Sequence, residues 1–221
     1  MSAGRIVLLV FGIIILVGSV LLVFAGGAAV WAHAVLADEE GFFSTRKIDV
    51  ERDSRAVVTR PADVDMSASW VWDWSDVVTF RVEGSSDDIS KQVFIGIADE
   101  SDLDSYLQGV EYDEIDEIRF DPFEIDYTRH PGGAEPSAPT SRGFWEESAY
   151  GSGTQVVDWT LRTGSWSLVL MNSDGSAGLD LDVRVGARIP WLFGTGLGML
   201  IGGGVGLILG MVMVYLAVRR A

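Results

Sequence analysis

Cysteine is absent from the 221-residue sequence, and so are the common signatures of catalysis. Without cysteine the chain has no disulfide bond, no thiol nucleophile and no thiolate metal site. It also lacks the G-x-S-x-G elbow, the H-E-x-x-H helix, the Walker loop and the dinucleotide fingerprint. His130 precedes Pro131 in a predicted turn, where a Ser-His-Asp triad is hard to build. We therefore predict a non-enzymatic protein with no cofactor and no catalytic or metal site.

Charge is missing from two long apolar segments, residues 6–37 and 189–218, which contain no Asp, Glu, Lys or Arg. Each exceeds the roughly 20 apolar residues that cross the hydrocarbon core of a bilayer. We predict a transmembrane helix in residues 1–37 and a second, glycine-rich one in residues 189–221, which ends in a short basic tail. The lipid bilayer is then the first partner of the chain.

The domain between these segments, residues 38–188, is strongly acidic. It contains all 32 acidic side chains against 13 of the 16 basic ones, and so a net charge of −19. Because a surface of this charge repels phosphates, we expect no nucleic acid partner. About 150 residues are sufficient for one compact domain with a core of its own.

Basic residues near the span ends predict the topology. Arg5 precedes the first span, and Arg219 and Arg220 follow the second. Since such residues stay on the cytoplasmic side, we expect a multi-pass protein of the cell membrane. Both termini are then cytoplasmic, and the acidic domain is extracytoplasmic.

Aromatic residues near the span ends are predicted interface anchors, with Trp31 and Trp191 at the outer surface and Tyr215 at the inner one. His33 is interpreted as an interfacial histidine rather than a functional group inside the membrane. The first span has an alternative interpretation as a cleaved signal peptide, because residues 32–34 (Ala-His-Ala) resemble a cleavage site. Its apolar core is longer than the ~7–15 residues of a signal peptide, which favours an uncleaved anchor.

Glycine recurs at every fourth position of the second span: Gly194, Gly198, Gly202, Gly206 and Gly210. Such a stripe lets helix backbones approach closely. We predict that it packs on the first span in an intramolecular hairpin, against a small face of Gly12, Ser19 and Gly26. Two alternatives stay open: glycine that is merely common in membrane helices, and a contact with a second copy or another membrane protein.

Alternating apolar and polar residues in the acidic domain predict β-strands. Residues 154–185 indicate three antiparallel strands joined by two turns, and residues 78–82 and 93–97 indicate two others. The predicted fold class is mainly β and membrane-anchored. It is an antiparallel β-sandwich with one short helix, flanked by two transmembrane α-helices.

One short helix and one long loop interrupt the predicted strands. The helix starts at Ser101, in a pattern like a capping box, and stops at Gly109. Residues 130–153, rich in Gly, Ser and Pro, are predicted to form an exposed loop. Its Phe144 and Trp145 either fold back onto the domain or contact a partner.

Two features of the domain allow both a functional and a structural interpretation. Residues 99–126 hold 12 acidic residues and one base, Arg119. They could bind calcium, but no EF-hand spacing is present, so a solvated acidic face is favoured. Tryptophans alternate at Trp70, Trp72 and Trp74, which on a strand form either a binding platform or part of the core, and the core is favoured.

Several segments together resemble actinobacterial membrane proteins that also carry two spans around an outer β-rich domain. The matching segments are residues 93–98 (VFIGIA), 102–110 (DLDSYLQGV), 143–145 (GFW) and 164–172 (GSWSLVLMN). A shorter likeness, Gly164, Trp166, Leu168, Asn172, Asp174 and Gly175, is to the accessory β-sandwich of secreted bacterial peptidases. The first resemblance implies the architecture, and the second implies a non-catalytic module.

We therefore expect a non-enzymatic integral membrane protein that presents an acidic β-sandwich for interaction, as an accessory subunit of an envelope complex. Its partner is then another membrane protein or a second copy of the chain. The alternative is a surface domain that senses or binds calcium or a small ligand. Transport is a third hypothesis, which needs oligomers or another subunit because two helices make a poor pore.

Overall fold

The computed structural model describes residues 3–59, 62–64, 78–120 and 123–219. The chain divides into two compact units. One consists of Met1–Gly41 and Ile189–Ala221, and the other of Phe42–Arg188. These boundaries lie close to those that the charge distribution predicts.

The first unit is a pair of long apolar helices, α1 (Ala3–Leu36) and α3 (Trp191–Val218). By length and composition, both are long and apolar enough to cross a membrane. At 1.5 Å per residue they extend about 50 Å and about 40 Å, against ~30 Å of hydrocarbon in a bilayer. Only 11% of the most apolar window of each helix is buried within the chain. Most of their apolar surface is therefore exposed.

The second unit contains two β-sheets, of which the first is antiparallel throughout the described residues. Its strands are β1 (Phe42–Ser44), β2 (Ile48–Arg52), β5 (Thr79–Ser86), β10 (Gln155–Thr160) and β12 (Leu179–Arg188). Strand β12 pairs with β1 and β2 along one side and with β5 along the other. Strand β10 then pairs with the far side of β5.

The second sheet is mixed rather than antiparallel. Its strands are β3 (Ala56–Thr59), β4 (Ala62–Val64), β6 (Val93–Asp99), β7 (Tyr112–Phe120), β8 (Phe123–His130), β9 (Glu147–Gly151) and β11 (Gly164–Asn172). Strands β3 and β7 run parallel, with Val57 opposite Asp113. A parallel pair needs a long connection, and the chain between β3 and β7 provides one. The prediction of a purely antiparallel sandwich was wrong for this pair.

The main core lies between the two sheets. Val82 and Leu181 of the first sheet pack with Ile95 and Leu170 of the second, and all four are at most 5% exposed. Since alternate residues of a strand point to the same side, every second residue of these strands enters the core. Burying each such side chain contributes about 1.5–3 kcal/mol to stability before opposing entropy.

A second apolar cluster covers the outer face of the second sheet, where the short helix α2 (Glu100–Tyr106) packs. Phe94 and Met171 of the sheet contact Leu103 of α2 in this cluster, and all three are at most 3% exposed. Strand β6 is consequently buried on both faces, which explains its nearly unbroken apolar sequence VFIGIA. The sequence had indicated only the alternate positions 93–97.

Helix α2 begins one residue before the predicted start. Asp99, at the end of β6, is its N-cap and accepts a hydrogen bond from the Ser101 backbone N–H at 3.0 Å. The chain leaves the helix through Gly109, whose φ of +75° favours glycine. The helix itself ends at Tyr106, three residues before the predicted stop, and Gly109 lies in the turn that follows it. The N-cap is Asp99 rather than Ser101.

The strands of residues 154–185 are present, but they do not pair with one another as the predicted turns implied. Strands β10 and β12 flank β5 in the first sheet, whereas β11 is in the second. The structure also differs from the prediction of an exposed loop over residues 130–153. Glu147–Gly151 forms β9 and pairs with β6, and Pro139–Ser141 is a 3₁₀ turn. Backbone ladders of this kind need no alternating side-chain pattern, so residues 147–151 carry little sequence signal for β9.

Candidate functional site

Helices α1 and α3 pack antiparallel along small residues spaced seven apart. The buried residues are Gly12, Ser19 and Gly26 of α1, and Gly196, Gly203, Gly210 and Ala217 of α3. A Cβ built on Gly26 would lie 2.5 Å from the Gly196 carbonyl oxygen, and one on Gly203 would lie 3.0 Å from that of Ser19. The backbones therefore touch, and a larger residue at these positions would separate the helices.

The predicted four-residue stripe was wrong at three of its five positions. A Cβ on Gly194, Gly198 or Gly202 meets nothing within 4 Å, whereas Gly206 packs on Ser19 and Gly210 on Leu16. Four residues advance ~400°, so the stripe rotates by ~40° at each step, while seven residues return to within ~20° of the same side. The seven-residue face of α1 was predicted correctly.

The predicted interface anchors lie at opposite ends of the helix pair. Trp31 and Trp191 are at the end where the chain leaves α1 and re-enters α3, and Tyr215 is near the other end. All three are exposed, at 60%, 37% and 60% respectively. His33 contacts the ring of Phe193 at 5.2 Å, beside the two tryptophans in sequence.

The buried carboxylate of the acidic segment, Asp113, is held in a local network of polar side chains. Asp113 of β7 is 2% exposed and bonds to Arg129 at 3.0 Å and to the Ser54 hydroxyl at 2.9 Å. Burial opposes its charge, but the bonds from Arg129 and Ser54 and the charges of Arg129 and Arg52 together hold the pKa of Asp113 below its usual value. This network fastens the β7–β8 hairpin to the start of β3.

The far end of that hairpin is an exposed acidic surface. Arg119 pairs with Asp126 at 2.8 Å and with Glu124 at 3.1 Å. Among the residues that the structure describes, no group of three or more His, Asp or Glu side chains is placed to hold a metal ion.

A small pocket lies beneath α2, on the outer face of the second sheet, and is called the α2 pocket here. Its volume is about 40 Å³, and its lining consists of Val58, Thr59, Glu100, Leu103, Asp104, Leu107, Tyr112, Glu114 and Ser167. The helix provides the acidic and apolar roof, and strands β3, β7 and β11 provide the floor. The pocket thus combines an apolar interior with three carboxylates.

Hydrogen bonds position two of these carboxylates. Glu100 accepts a bond from the Ser165 hydroxyl at 2.8 Å, and Glu114 is 2.8 Å from His130 Nε2. The His130 ring stacks on Tyr112, with the ring centres 4.4 Å apart. Burial, followed by the charges of Glu114 and Asp104, raises the pKa of Tyr112. The phenol thus stays neutral as a donor beside both carboxylates.

Catalytic geometry of the serine hydrolase kind is not built around His130. Its Nε2 is engaged with Glu114, and no Ser or Thr hydroxyl in the described part of the chain bonds to the ring. The buried Ser167 lines the same pocket as Glu114, and no hydrogen bond between Ser167 and His130 is present.

The structure describes only some of the aromatic residues that the sequence analysis identified as candidates. Trp70, Trp72 and Trp74 lie outside the described residues. Phe144 and Trp145 fold back onto the domain: the Trp145 ring is 4.9 Å from that of Phe94, and its indole N–H donates to Pro139 O at 2.9 Å.

Sequence reasoning missed the α2 pocket, because its lining comes from four separate elements. The available signal was small and local: Ser165 and Ser167 are polar residues that alternate within an otherwise apolar strand, and a helix with acidic residues precedes them. Two serines on a face that a helix covers indicate a polar group beneath that helix. No family model matches the sequence, and no curated protein matches it.

Proposed function

We propose that the chain is an integral membrane protein that holds an acidic β-sandwich outside the cell and acts through interaction. The observation that carries this proposal is the contrast between the two units. The helices expose large apolar residues over most of their length, such as Phe24 at 75% and Ile208 at 63%, while the other unit has a net charge of −16. Apolar surface on this scale is stable in lipid or against another protein.

The proposed orientation rests on the charges and aromatic rings at the helix ends. In the antiparallel pair, Arg5 of α1 and Arg219 after α3 lie at the same end, and Trp31 and Trp191 lie at the other. Positive residues favour the cytoplasmic side, and indoles favour an interface. Both termini are therefore cytoplasmic in this proposal.

Interaction rather than catalysis is supported by how the ionisable groups are used. Asp113, Glu114 and Asp126 are each paired with Arg or His, and in the described part of the chain no Ser or Thr hydroxyl bonds to the His130 ring beside the α2 pocket. An acidic surface of this kind attracts cationic groups and repels anionic ones. We place the chain as an accessory subunit whose outer domain binds a basic partner.

A ligand-sensing surface domain is the second candidate function, and the α2 pocket favours it. The two functions share the same requirement, a cationic group on the bound molecule. They differ in whether that group belongs to a stable subunit or to a small molecule.

Isolation of the full chain from native membranes tests the proposed function. An affinity-tagged chain would be extracted in mild detergent, and the mass and composition of the complex would be measured by mass spectrometry. A stoichiometric companion with a basic outer surface supports the subunit function. A lone monomer that retains its fold contradicts it and leaves the ligand-sensing function.

A further inference from the structure

The first sheet turns one face to the core, and charges of opposite sign lie at opposite ends of its other, outer face. Because Leu181 and Val183 enter the core, the residues that alternate with them along β12 point outward. At one end, Asp180 and Asp182 lie opposite acidic residues of β2. At the other end, called the basic end here, the outer face carries Arg81, Arg184 and Arg188. The basic end is a local exception in a unit with a net charge of −16.

The guanidinium of Arg188 is held in place without an anionic partner. Its central carbon is 5.0 Å from the centre of the buried Phe42 ring. This cation–π contact orients the group but offers no acceptor for its N–H groups. Among the described residues Arg188 forms no ion pair, and its buried Nε has no hydrogen-bond partner. Since its terminal nitrogens are not buried in this way, they remain available to an anion.

The neighbouring groups leave a positive charge in excess. Arg81 donates to both carboxylate oxygens of Asp158, at 2.7 and 2.8 Å. These bonds, which act against burial, and the charges of Arg81 and Arg188 hold the pKa of Asp158 below its usual value. Arg184 lies opposite Glu83. Within the basic end two carboxylates therefore balance three guanidinium groups, and the excess charge attracts an anion.

Both covalent links between this unit and the helices leave from the basic end. Phe42, the first residue of β1, follows Gly41 of the other unit, and Arg188, its cross-strand partner, precedes Ile189. Trp191 is three positions after Arg188, so the chain itself limits the distance between their Cα atoms to about 11 Å. Trp191 is the predicted anchor at the membrane surface, where lipid headgroups carry their phosphates. Chain connectivity therefore keeps Arg188 close to that surface when α3 is in a bilayer.

We propose that Arg188 binds the phosphate of a phospholipid headgroup in the adjacent leaflet, and that it prefers headgroups with a net negative charge. A planar guanidinium matches phosphate oxygens through two parallel N–H groups, and Phe42 holds this one in position. The ligand is a lipid rather than a soluble phosphate, because the chain keeps Arg188 where lipid phosphates are concentrated. The inference rests on the membrane insertion in the proposed function and goes beyond it by naming a lipid ligand. It depends neither on the side of the membrane nor on a protein partner.

Native mass spectrometry of the full chain released from nanodiscs tests the lipid preference. The nanodiscs contain equal amounts of phosphatidylglycerol and phosphatidylcholine with the same acyl chains. We expect the wild-type chain to retain phosphatidylglycerol preferentially, because the choline ammonium neutralises its own phosphate. A large excess of inorganic phosphate should not displace the lipid. Equal retention of the two lipids, or displacement by inorganic phosphate, would overturn the proposal.

Two arginine variants separate the proposed site from general charge. Arg188→Gln and Arg142→Gln remove the same charge, and each arginine contacts an aromatic ring without an ion pair among the described residues. Arg142 is exposed after the 3₁₀ turn, far from the basic end in sequence and on the other sheet's side, beside Tyr106 of α2. We expect Arg188→Gln to lower the apparent affinity for phosphatidylglycerol about tenfold, as the loss of a charge-assisted bond does, and Arg142→Gln to change it little. Equal effects of the two variants, or no effect of either, would overturn the proposal.

Arg188→Lys provides a conservative variant that keeps the charge and loses the planar fork. We expect it to retain more phosphatidylglycerol than Arg188→Gln and less than wild type, with far-ultraviolet circular dichroism unchanged in all three variants. If Arg188→Gln does not fold, the wild-type preference and Arg188→Lys still decide the matter, since retention by Arg188→Lys equal to wild type would contradict a bidentate contact.

Failure of this inference is distinguishable from failure of the proposed function. Lipid retention that does not depend on Arg188 overturns the inference, while a stoichiometric companion from native membranes would still support the proposed function. Release of the chain from membranes by alkaline carbonate would instead contradict the membrane insertion on which both depend.

Discussion

Inside the helix pair the packing contacts are made by small residues, and inside the β-rich unit they are made by large ones. Gly26, Gly203 and Ser19 let α1 and α3 touch through their backbones, whereas the sheets are joined by large buried side chains such as Phe94 and Leu181. In water, burial of apolar area provides the driving force, so large side chains are best. Among lipid tails that force is absent, and close contact between backbones takes its place. Each unit thus has the residues expected for its proposed solvent.

The largest effect should follow from a cavity in the β-rich unit. Phe94 is fully buried against Trp145 and α2, and Phe94→Ala should destabilise this unit by about 3–5 kcal/mol. Ile118, on β7, is 41% exposed, and Ile118→Ala should change stability by no more than about 0.5 kcal/mol. Urea unfolding of the full chain in detergent, followed by tryptophan fluorescence, measures both. Similar losses in the two variants would contradict the described core.

A smaller loss is expected when the Asp113 network is cut. Asp113→Asn leaves Arg129 without its buried partner and should cost about 2 kcal/mol at pH 7, less than a fully buried pair because Arg129 is half-exposed. Because the folded pKa of Asp113 is lowered, its contribution is complete above the unfolded value of ~3.9 and is lost as pH falls through the folded pKa.

The pH dependence provides the measurement. The difference in unfolding free energy between wild type and Asp113→Asn should shrink when the pH falls from 7 to below about 4. Glu117→Gln, at an exposed position of the same strand, should show little difference at any pH. If the difference in unfolding free energy for Asp113→Asn did not change with pH, the stabilising effect of the network would not depend on the charge of Asp113.

Adjacent glycines of α3 give a matched test in the helix pair. A Cβ on Gly203 would lie 2.8 Å from Val23 Cγ2, while one on Gly202 meets nothing. Since overpacking a close contact costs about 1–3 kcal/mol, Gly203→Leu should lower the population of the helix contact about tenfold, and Gly202→Leu should not.

A disulfide reports this contact, because the wild-type chain has no cysteine. A Cβ on Gly12 would lie 3.1 Å from that of Met213, close to the ~3.5–4.5 Å of a disulfide. Gly12→Cys with Met213→Cys should therefore cross-link on mild oxidation. If Gly202→Leu slowed cross-linking as much as Gly203→Leu does, the four-residue stripe would be the true contact.

The smallest effect concerns a single backbone angle. Gly109 has a φ of +75° and space for a methyl group, so Gly109→Ala should cost about 1 kcal/mol through strain alone. Gly133→Ala, where the space is open and φ is not positive, should be nearly neutral. Thermal unfolding of both variants tests this difference, and a neutral Gly109→Ala would contradict the described end of α2.

Features set by local periodicity were predictable from the sequence, and features set by tertiary packing were not. The spans, the small face of Gly12, Ser19 and Gly26, and the strands of residues 154–185 follow from spacing alone. The contact face of α3 was predicted incorrectly. Residues spaced four apart stay on one side of a helix for about two turns, and over about four turns they move to another side.

The remaining differences depend on which elements meet in space. The second buried face of β6 exists because α2 covers it, and β9 exists because β6 offers an unpaired edge. The α2 pocket combines residues as distant in sequence as Val58 and Ser167. No pattern along the sequence indicates that Ser167, Glu100 and Glu114 line the same pocket.

Labelling of single cysteines tests the central claim, a domain displayed outside the cell by two spans, most directly. Ile89 in the acidic unit is 99% exposed, and Gly4 at the start of α1 has open space around it. A membrane-impermeant maleimide should label Ile89→Cys in intact cells and Gly4→Cys only after permeabilisation, with no background from the cysteine-free wild type. Labelling of Gly4→Cys in intact cells, or protection of Ile89→Cys, would contradict the account.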